Sequence, residues 1–295
     1  MDKKLVAYFS ASGVTRRVAE QIANCLLYTS CFASHNIENG IRRKRMNRTE
    51  ICDKQYRELF GGNRERHTTD PEFMDILQKF IFGEVSQVGG LDNKMRELIT
   101  VSVLTAVQTL PQLSAHIQAA LNVGIPPVQI RETIYNCAPF IGFPKTLNAI
   151  TIMNEIFVKN GIALPLNGEA TVTEENRLDV GRAIQEPLYG NEIQEKYKYL
   201  PEGMGDRLAE FLTELCFGDF YSRTGISIQT KELMALCILA ALGQTVPLKA
   251  HVKGNIKVGN TMKTIYAALL QCLPYIGFPL VFAAINAIQR YDETV

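Results

Sequence analysis

Two glutamate–histidine pairs share one spacing. Glu97 precedes His116 by 19 positions (116 − 97), and Glu232 precedes His251 by the same 19 (251 − 232). A buried carboxylate facing an imidazole orients the ring and tunes its proton affinity, as acid–base chemistry near neutral pH requires. In that reading His116 and His251 are proton donors, and Glu97 and Glu232 orient them. The same spacing also describes a histidine that only ties two helices together. Spacing alone favours that second reading, because buried polar groups usually exist to satisfy one another.

Each pair lies inside a stretch that occurs twice. "TLPQLSAHIQAALNVG" runs from Thr109 to Gly124, and "QTVPLKAHVKGNIKVG" from Gln244 to Gly259. The offset is 135 (251 − 116), and it also links Phe82-Gly83 to Phe217-Gly218, Cys137 to Cys272, and Ile141–Pro144 to Ile276–Pro279. A constant offset over that span means two copies of one unit, and the period is too long for a solenoid.

The elements that must position the pairs read as helices. Leu98, Val101, Leu104 and Thr105 fall at helical spacing, as do Leu233, Leu236, Leu239 and Ala240. Thr109 and Pro111 mark the start of the next helix, which carries Leu113, His116, Ile117 and Ala120 on one face and ends at Gly124. A short turn between antiparallel helices brings each glutamate level with its histidine. A third helix runs from about Val128 to Cys137 and breaks near Pro139, and a fourth follows Gly142-Phe143-Pro144 to about Lys159. Earlier helices are expected over Asp70–Val85 and Asp206–Phe220. Because the proline falls differently in "TLPQ" and "QTVP", the helix bearing His251 is expected to start later than its counterpart. Gln112 can hydrogen-bond a ligand where Pro247 cannot, so the first copy is expected to be the more active.

The two copies resemble the carboxymuconolactone decarboxylase family, over roughly Met46 to Tyr291. The pieces that carry the likeness are the Glu–His spacing and the "IGFP" turns. The resemblance implies an all-α fold of two tandem domains, 46–163 and 174–295, joined by a linker over 164–173. It also implies units packed into trimers or hexamers, so that a tandem chain forms a homotrimer of six units. The alkylhydroperoxidase-D branch of this family carries Glu-x11-Cys-x2-Cys-x3-His, where a thiolate reacts. Here the two cysteine positions fall on Thr109 and Gln112, and on Gln244 and Pro247, so that nucleophile is missing. The branch that decarboxylates a lactone needs neither cysteine nor cofactor. Loss of carbon dioxide leaves a carbanion or dienolate, which a carboxylate-held histidine can reprotonate. The resemblance therefore implies a cofactor-independent lyase on a small carboxylated or lactone substrate. Two alternatives stay open: an alkylhydroperoxidase-type antioxidant with peroxiredoxin activity that recruits Cys137 or Cys272, and a non-catalytic helical scaffold.

Other residues contribute less. Cys137 and Cys272 suit packing better than reactivity. Arg96 and Lys231, each beside a glutamate, are expected to face elsewhere. Arg131 is a cation near the site in sequence, but its counterpart is Tyr266 (131 + 135), so no substrate-binding arginine is assigned.

The front end has a different pattern. "KKLVAYFS", "SASGVT" and "RRVAEQIA" resemble the first strand, phosphate loop and helix of flavodoxins. That resemblance implies a flavin phosphate held by Ser10, Ser12, Gly13 and Thr15. One strand and one helix cannot build a sheet, so no working flavin site is expected and no cofactor is assigned. "CLLYTS" (Cys25–Ser30) matches a reading frame of a transposon end used for sequencing libraries. Residues 1–45 are thus expected to be a non-native extension or a disordered leader, with "MNRTE" from Met46 a natural start.

Composition sets the remaining bounds. The chain has 295 residues, 46% of them hydrophobic, and a net charge of +1. That leaves no call for nucleic acid or a membrane surface. The seven cysteines include no CxxC pair, which suits reduced thiols in a cytoplasmic protein. Two distant histidines without clustered thiols do not make a zinc site. No apolar run reaches the ~18 residues of a membrane helix.

Overall fold

The computed structural model describes residues 46–292, all helical or loop. The flavodoxin-like reading and the leader reading of residues 1–45 lie outside the described residues.

The first copy begins with α1 (Arg48–Phe60), started by a reciprocal capping box between Asn47 and Glu50. Next comes α2 (Pro71–Gln78), which widens into a π-helical stretch over Lys79–Glu84. Then follow α3 (Asn93–Val107), α4 (Leu110–Asn122), α5 (Pro127–Tyr135), α6 (Ala138–Ile141) and α7 (Phe143–Lys159). The second copy repeats this order with α8 (Arg177–Tyr189), the short α9 (Glu192–Lys196), α10 (Met204–Phe211) with its π-helical extension Leu212–Tyr221, α11 (Ile228–Ala241) and α12 (Thr245–Lys257). It ends with α13 (Met262–Asp292), which does the work of three helices in the first copy. Residues 164–173 carry no regular element.

The core explains why the two copies form one unit. In α3 every residue from Arg96 to Ala106 is buried, and in α11 every residue from Lys231 to Ala241. These two helices pack on each other at the centre. Ile99 and Val103 of α3 sit in the apolar cluster of the second copy, and Met234 of α11 sits in that of the first. Burial on all sides, rather than one amphipathic stripe, marks them as central helices.

Two cations close the shared core. Arg96 donates to the carbonyls of Val85, Leu91 and Val88 and to Gln271 Oε1 on α13. Lys231, its counterpart, donates to the carbonyls of Tyr221 and Arg223. Both plug the carbonyl-rich end of the preceding helix, so they face away from the histidines, as expected. Arg131 is likewise occupied. It pairs with Glu132, which also takes a two-pronged ion pair from Arg223 of the other copy at 2.6 and 2.9 Å.

Two expectations fail for physical reasons. The helices bearing the histidines begin at equivalent positions, Leu110 and Thr245 (245 − 110 = 135). Pro111 and Pro247 both fall in the first turn, where backbone N–H groups lack an intrahelical partner, so either placement is tolerated. The expectation that no apolar run reaches membrane length also fails. The Met262–Gln289 stretch of α13 is long and apolar enough by length and composition. Its Ile265, Leu269, Cys272, Ala284 and Ile288 are buried against the α3–α11 pair, and it turns sharply at Gly277. That turn (φ 78°, ψ 165°) matches Gly142 in the first copy (φ 82°, ψ 161°), where an L side chain is strained.

Candidate active site

Each site is built on a helical hairpin. Gln108 links α3 to α4 at φ 61°, and its counterpart Gly243 links α11 to α12 at φ 69°. Gln108 holds this left-handed conformation while its amide donates to the carbonyls of Thr105 and Lys145. The tight reversal sets the second helix of each hairpin antiparallel to the first, and the paired residues meet.

In the first copy His116 Nδ1 lies 2.7 Å from Glu97 Oε2, with His116 7% and Glu97 2% exposed. In the second, His251 Nδ1 lies 3.1 Å from Glu232 Oε2, and Glu232 is fully buried. The structure thus brings together both pairs picked out by spacing. Among the described residues nothing is hydrogen-bonded to Nε2 of either ring. A carboxylate on Nδ1 fixes the tautomer and leaves Nε2 to exchange a proton with a ligand.

The walls come from both copies. The Tyr275 ring, on α13, stands edge-on to His116 at 5.4 Å, and the Phe140 ring, on α6, faces His251 at 5.6 Å. These two residues are counterparts (275 − 140 = 135), so each copy contributes one wall to the other's histidine. Burial, and then the charge of Glu97, pushes the Tyr275 phenol well above its ordinary range, so it stays protonated. A small cavity of about 10 Å³, lined by Arg96, Gln271 and Tyr275 among others, borders Glu97.

Sequence reasoning missed the helix that forms the third wall. Phe60, the last residue of α1, lies 6.2 Å from the His116 ring. Tyr189, the last of α8, lies 5.3 Å from the His251 ring. The Tyr189 hydroxyl also donates to Glu232 Oε2 at 2.5 Å and sits 2.8 Å from His251 Nδ1. Phe60 and Tyr189 are counterparts at an offset of 129 (189 − 60), not 135. The shorter offset holds along the helix: Arg48 pairs with Glu84 as Arg177 pairs with Asp219, and Leu59 is buried as Leu188 is. The signal in the sequence was the pair of glycines in the π-helical stretches. A Cβ at Gly83 would lie 2.3 Å from the Arg48 carbonyl oxygen, and one at Gly218 2.5 Å from that of Arg177. Each glycine therefore lets its α1 or α8 helix pack in contact.

Neither repeated cysteine is hydrogen-bonded to a histidine or glutamate of the sites, whereas Cys216 is buried in the cluster against which Tyr189 packs. Cys137 is fully buried and its thiol points to the carbonyls of Thr133 and Ser102. Cys272 is fully buried beside the Ala268 carbonyl. Burial pushes the Cys137 thiol far up, away from thiolate formation. Gln112 is exposed one turn before His116. Among the described residues no three histidine, cysteine or acidic side chains are grouped as a metal site would need.

Residues 71–155 and 206–290, together more than half of the chain, match the model of the carboxymuconolactone decarboxylase family. The chain belongs to that family and carries two tandem copies of its domain. It is 32% identical over 92 residues to a 4-carboxymuconolactone decarboxylase of Acinetobacter baylyi, covering 31% of this chain and 69% of that protein. It is 28% identical over 78 residues to a nitrosuccinic acid decarboxylase of Metarhizium robertsii, covering 26% of this chain and 54% of that protein. A crystal structure described as a gamma-carboxymuconolactone decarboxylase subunit of Burkholderia xenovorans aligns with a TM-score of 0.48 and 19% identity, over 84% of this chain and 97% of that one.

Proposed function

We propose that the protein is a cofactor-independent lyase that removes carbon dioxide from a small carboxylated or lactone substrate, with His116 and His251 as proton donors. The observation that carries this reading is the contact of Glu97 Oε2 with His116 Nδ1 at 2.7 Å, with both side chains almost closed off from solvent. As the bond to the departing carboxylate breaks, its electron pair passes into the conjugated lactone carbonyl. Nε2–H then delivers a proton to carbon, and the carboxylate on Nδ1 stabilises the imidazolium beforehand. Two relatives named for decarboxylation of small acids support the reaction class. The burial of Cys137 and Cys272 weighs against the thiol-dependent alternative. The test is carbon dioxide release from 4-carboxymuconolactone in D2O, followed together with deuterium entry at the product carbon. Release with one deuterium per turnover supports the proposal, and absence of release from the assembled protein overturns it.

The assembly belongs to the same proposal: a homotrimer of tandem units. Large apolar residues are exposed at matching positions in the two copies, Phe73 and Ile76 with Leu208 and Phe211, and Phe143 and Leu147 with Phe278 and Phe282. Apolar surface repeated in this way suits a ring of equivalent contacts.

A further inference from the structure

The two sites differ at one pair of neighbouring positions. In the second, Tyr189 Oη closes a triangle with the pair, 2.5 Å from Glu232 Oε2 and 2.8 Å from His251 Nδ1, while those two atoms stay 3.1 Å apart. A phenol has one proton, and a carboxylate is the stronger acceptor, so the hydroxyl donates to Glu232, and Nδ1–H is shared between Tyr189 Oη and Glu232 Oε2. In the first site Phe60 has no hydroxyl, and the carboxylate alone meets Nδ1, at the shorter distance of 2.7 Å.

A second position has changed with the first. A Cβ added at Gly254 would lie 2.5 Å from Glu232 Oε2, 2.6 Å from Tyr189 Oη and 3.0 Å from Tyr189 Cζ. Its counterpart is Ala119 (254 − 135), which is fully buried in the apolar cluster against which Phe60 packs. The methyl of Ala119 thus accompanies the ring without a hydroxyl, and the bare glycine accompanies the phenol. Gly254 lies within α12, where glycine is less stable than alanine because it gives up more backbone freedom. The space it leaves for the hydroxyl gives that cost a reason. Phe60 and Tyr189 both fall outside the segments matched by the family model.

We propose that Tyr189 is a positioning residue that makes the second site a three-membered Glu232–Tyr189–His251 group, with Gly254 as the companion that admits the phenol. The two sites of one chain are then distinct acid–base centres, one a bare carboxylate–imidazole pair and one a pair whose two members also share a phenol. This rests on the acid–base reading for its role in turnover, but not for its geometry. Burial, then the charge of Glu232, pushes the Tyr189 phenol well above its ordinary range, which keeps the bridging proton in place.

The test uses the full chain with 15N-labelled histidine and reads the ring-nitrogen resonances. In Tyr189→Phe the His251 signals move and those of His116 stay. Adding Gly254→Ala to Tyr189→Phe recreates the pairing of the first site and recovers thermal stability, whereas Gly254→Ala alone loses it. Unmoved His251 signals in Tyr189→Phe, or a double variant no more stable than Gly254→Ala alone, would overturn the proposal. In a His116→Asn background, Tyr189→Phe should lower kcat on 4-carboxymuconolactone roughly tenfold with KM within twofold. An unchanged kcat would contradict the positioning role. Failure of the lyase reading would instead leave the parent inactive and the resonance shift intact.

Discussion

Glu97 and His116 meet through Oε2 and Nδ1 at 2.7 Å across the α3–α4 hairpin, with both side chains almost closed off from solvent. Such a pair couples energetically, because removing one partner strands the other in a low-dielectric site. Glu97→Gln should lower turnover by ~10²-fold or more. A double-mutant cycle with His116→Asn should return a coupling of about 1–3 kcal/mol by thermal unfolding. Additive losses would mean that the two side chains act independently.

A second ion pair tests the union of the copies. Glu132 of α5 is buried and joined to Arg223 of the second copy by two bonds, with Arg131 beside it. Glu132→Ala leaves two guanidinium groups without their carboxylate and should cost about 3–5 kcal/mol. Chemical denaturation should show this loss in a single transition. Two separate transitions in the parent would contradict a shared core.

Lys231 gives a pH signature. Burial lowers its ammonium from 10.5 to about 8. The unfolded chain therefore holds a proton over a range where the folded chain has lost it, and stability should rise as pH climbs from about 8 to about 10. The rise from this group is up to about 2–3 kcal/mol. Above that window Tyr189, Tyr221 and Tyr275, all pushed upward by burial, act with the opposite sign. Lys231→Met should flatten the rise, and an unchanged slope in that variant would assign it elsewhere.

The exposed apolar positions bear on assembly. Phe211→Lys together with Phe282→Lys places charge at two of the matched sites and should reduce a trimer to monomers in light scattering. A parent that is already monomeric would contradict the proposed trimer.

Much of this fold was legible in the residues. The offset of 135 located both Glu–His pairs, the hairpins and the "IGFP" turns, because those segments carry no insertion. The walls were not legible. Tyr189 was missed because the second copy holds six more residues between its first helix and Gly218 (135 − 129), in the region containing α9. At the fixed offset Tyr189 falls opposite Lys54, which hides its kinship with Phe60. Phe140 and Tyr275 were missed because each serves the other copy's histidine, and linear spacing carries no record of that exchange. The late start foreseen for the His251 helix failed because a first turn accepts proline at more than one position.

The most direct test of the central claim replaces both histidines at once. Parent, His116→Asn, His251→Asn and the double variant are compared for carbon dioxide release from 4-carboxymuconolactone at equal folded concentration. The parent should turn over, each single variant should retain part of the rate, and the double variant should fall by ~10²-fold or more. A double variant that keeps the parental rate would show that neither imidazole carries the proton.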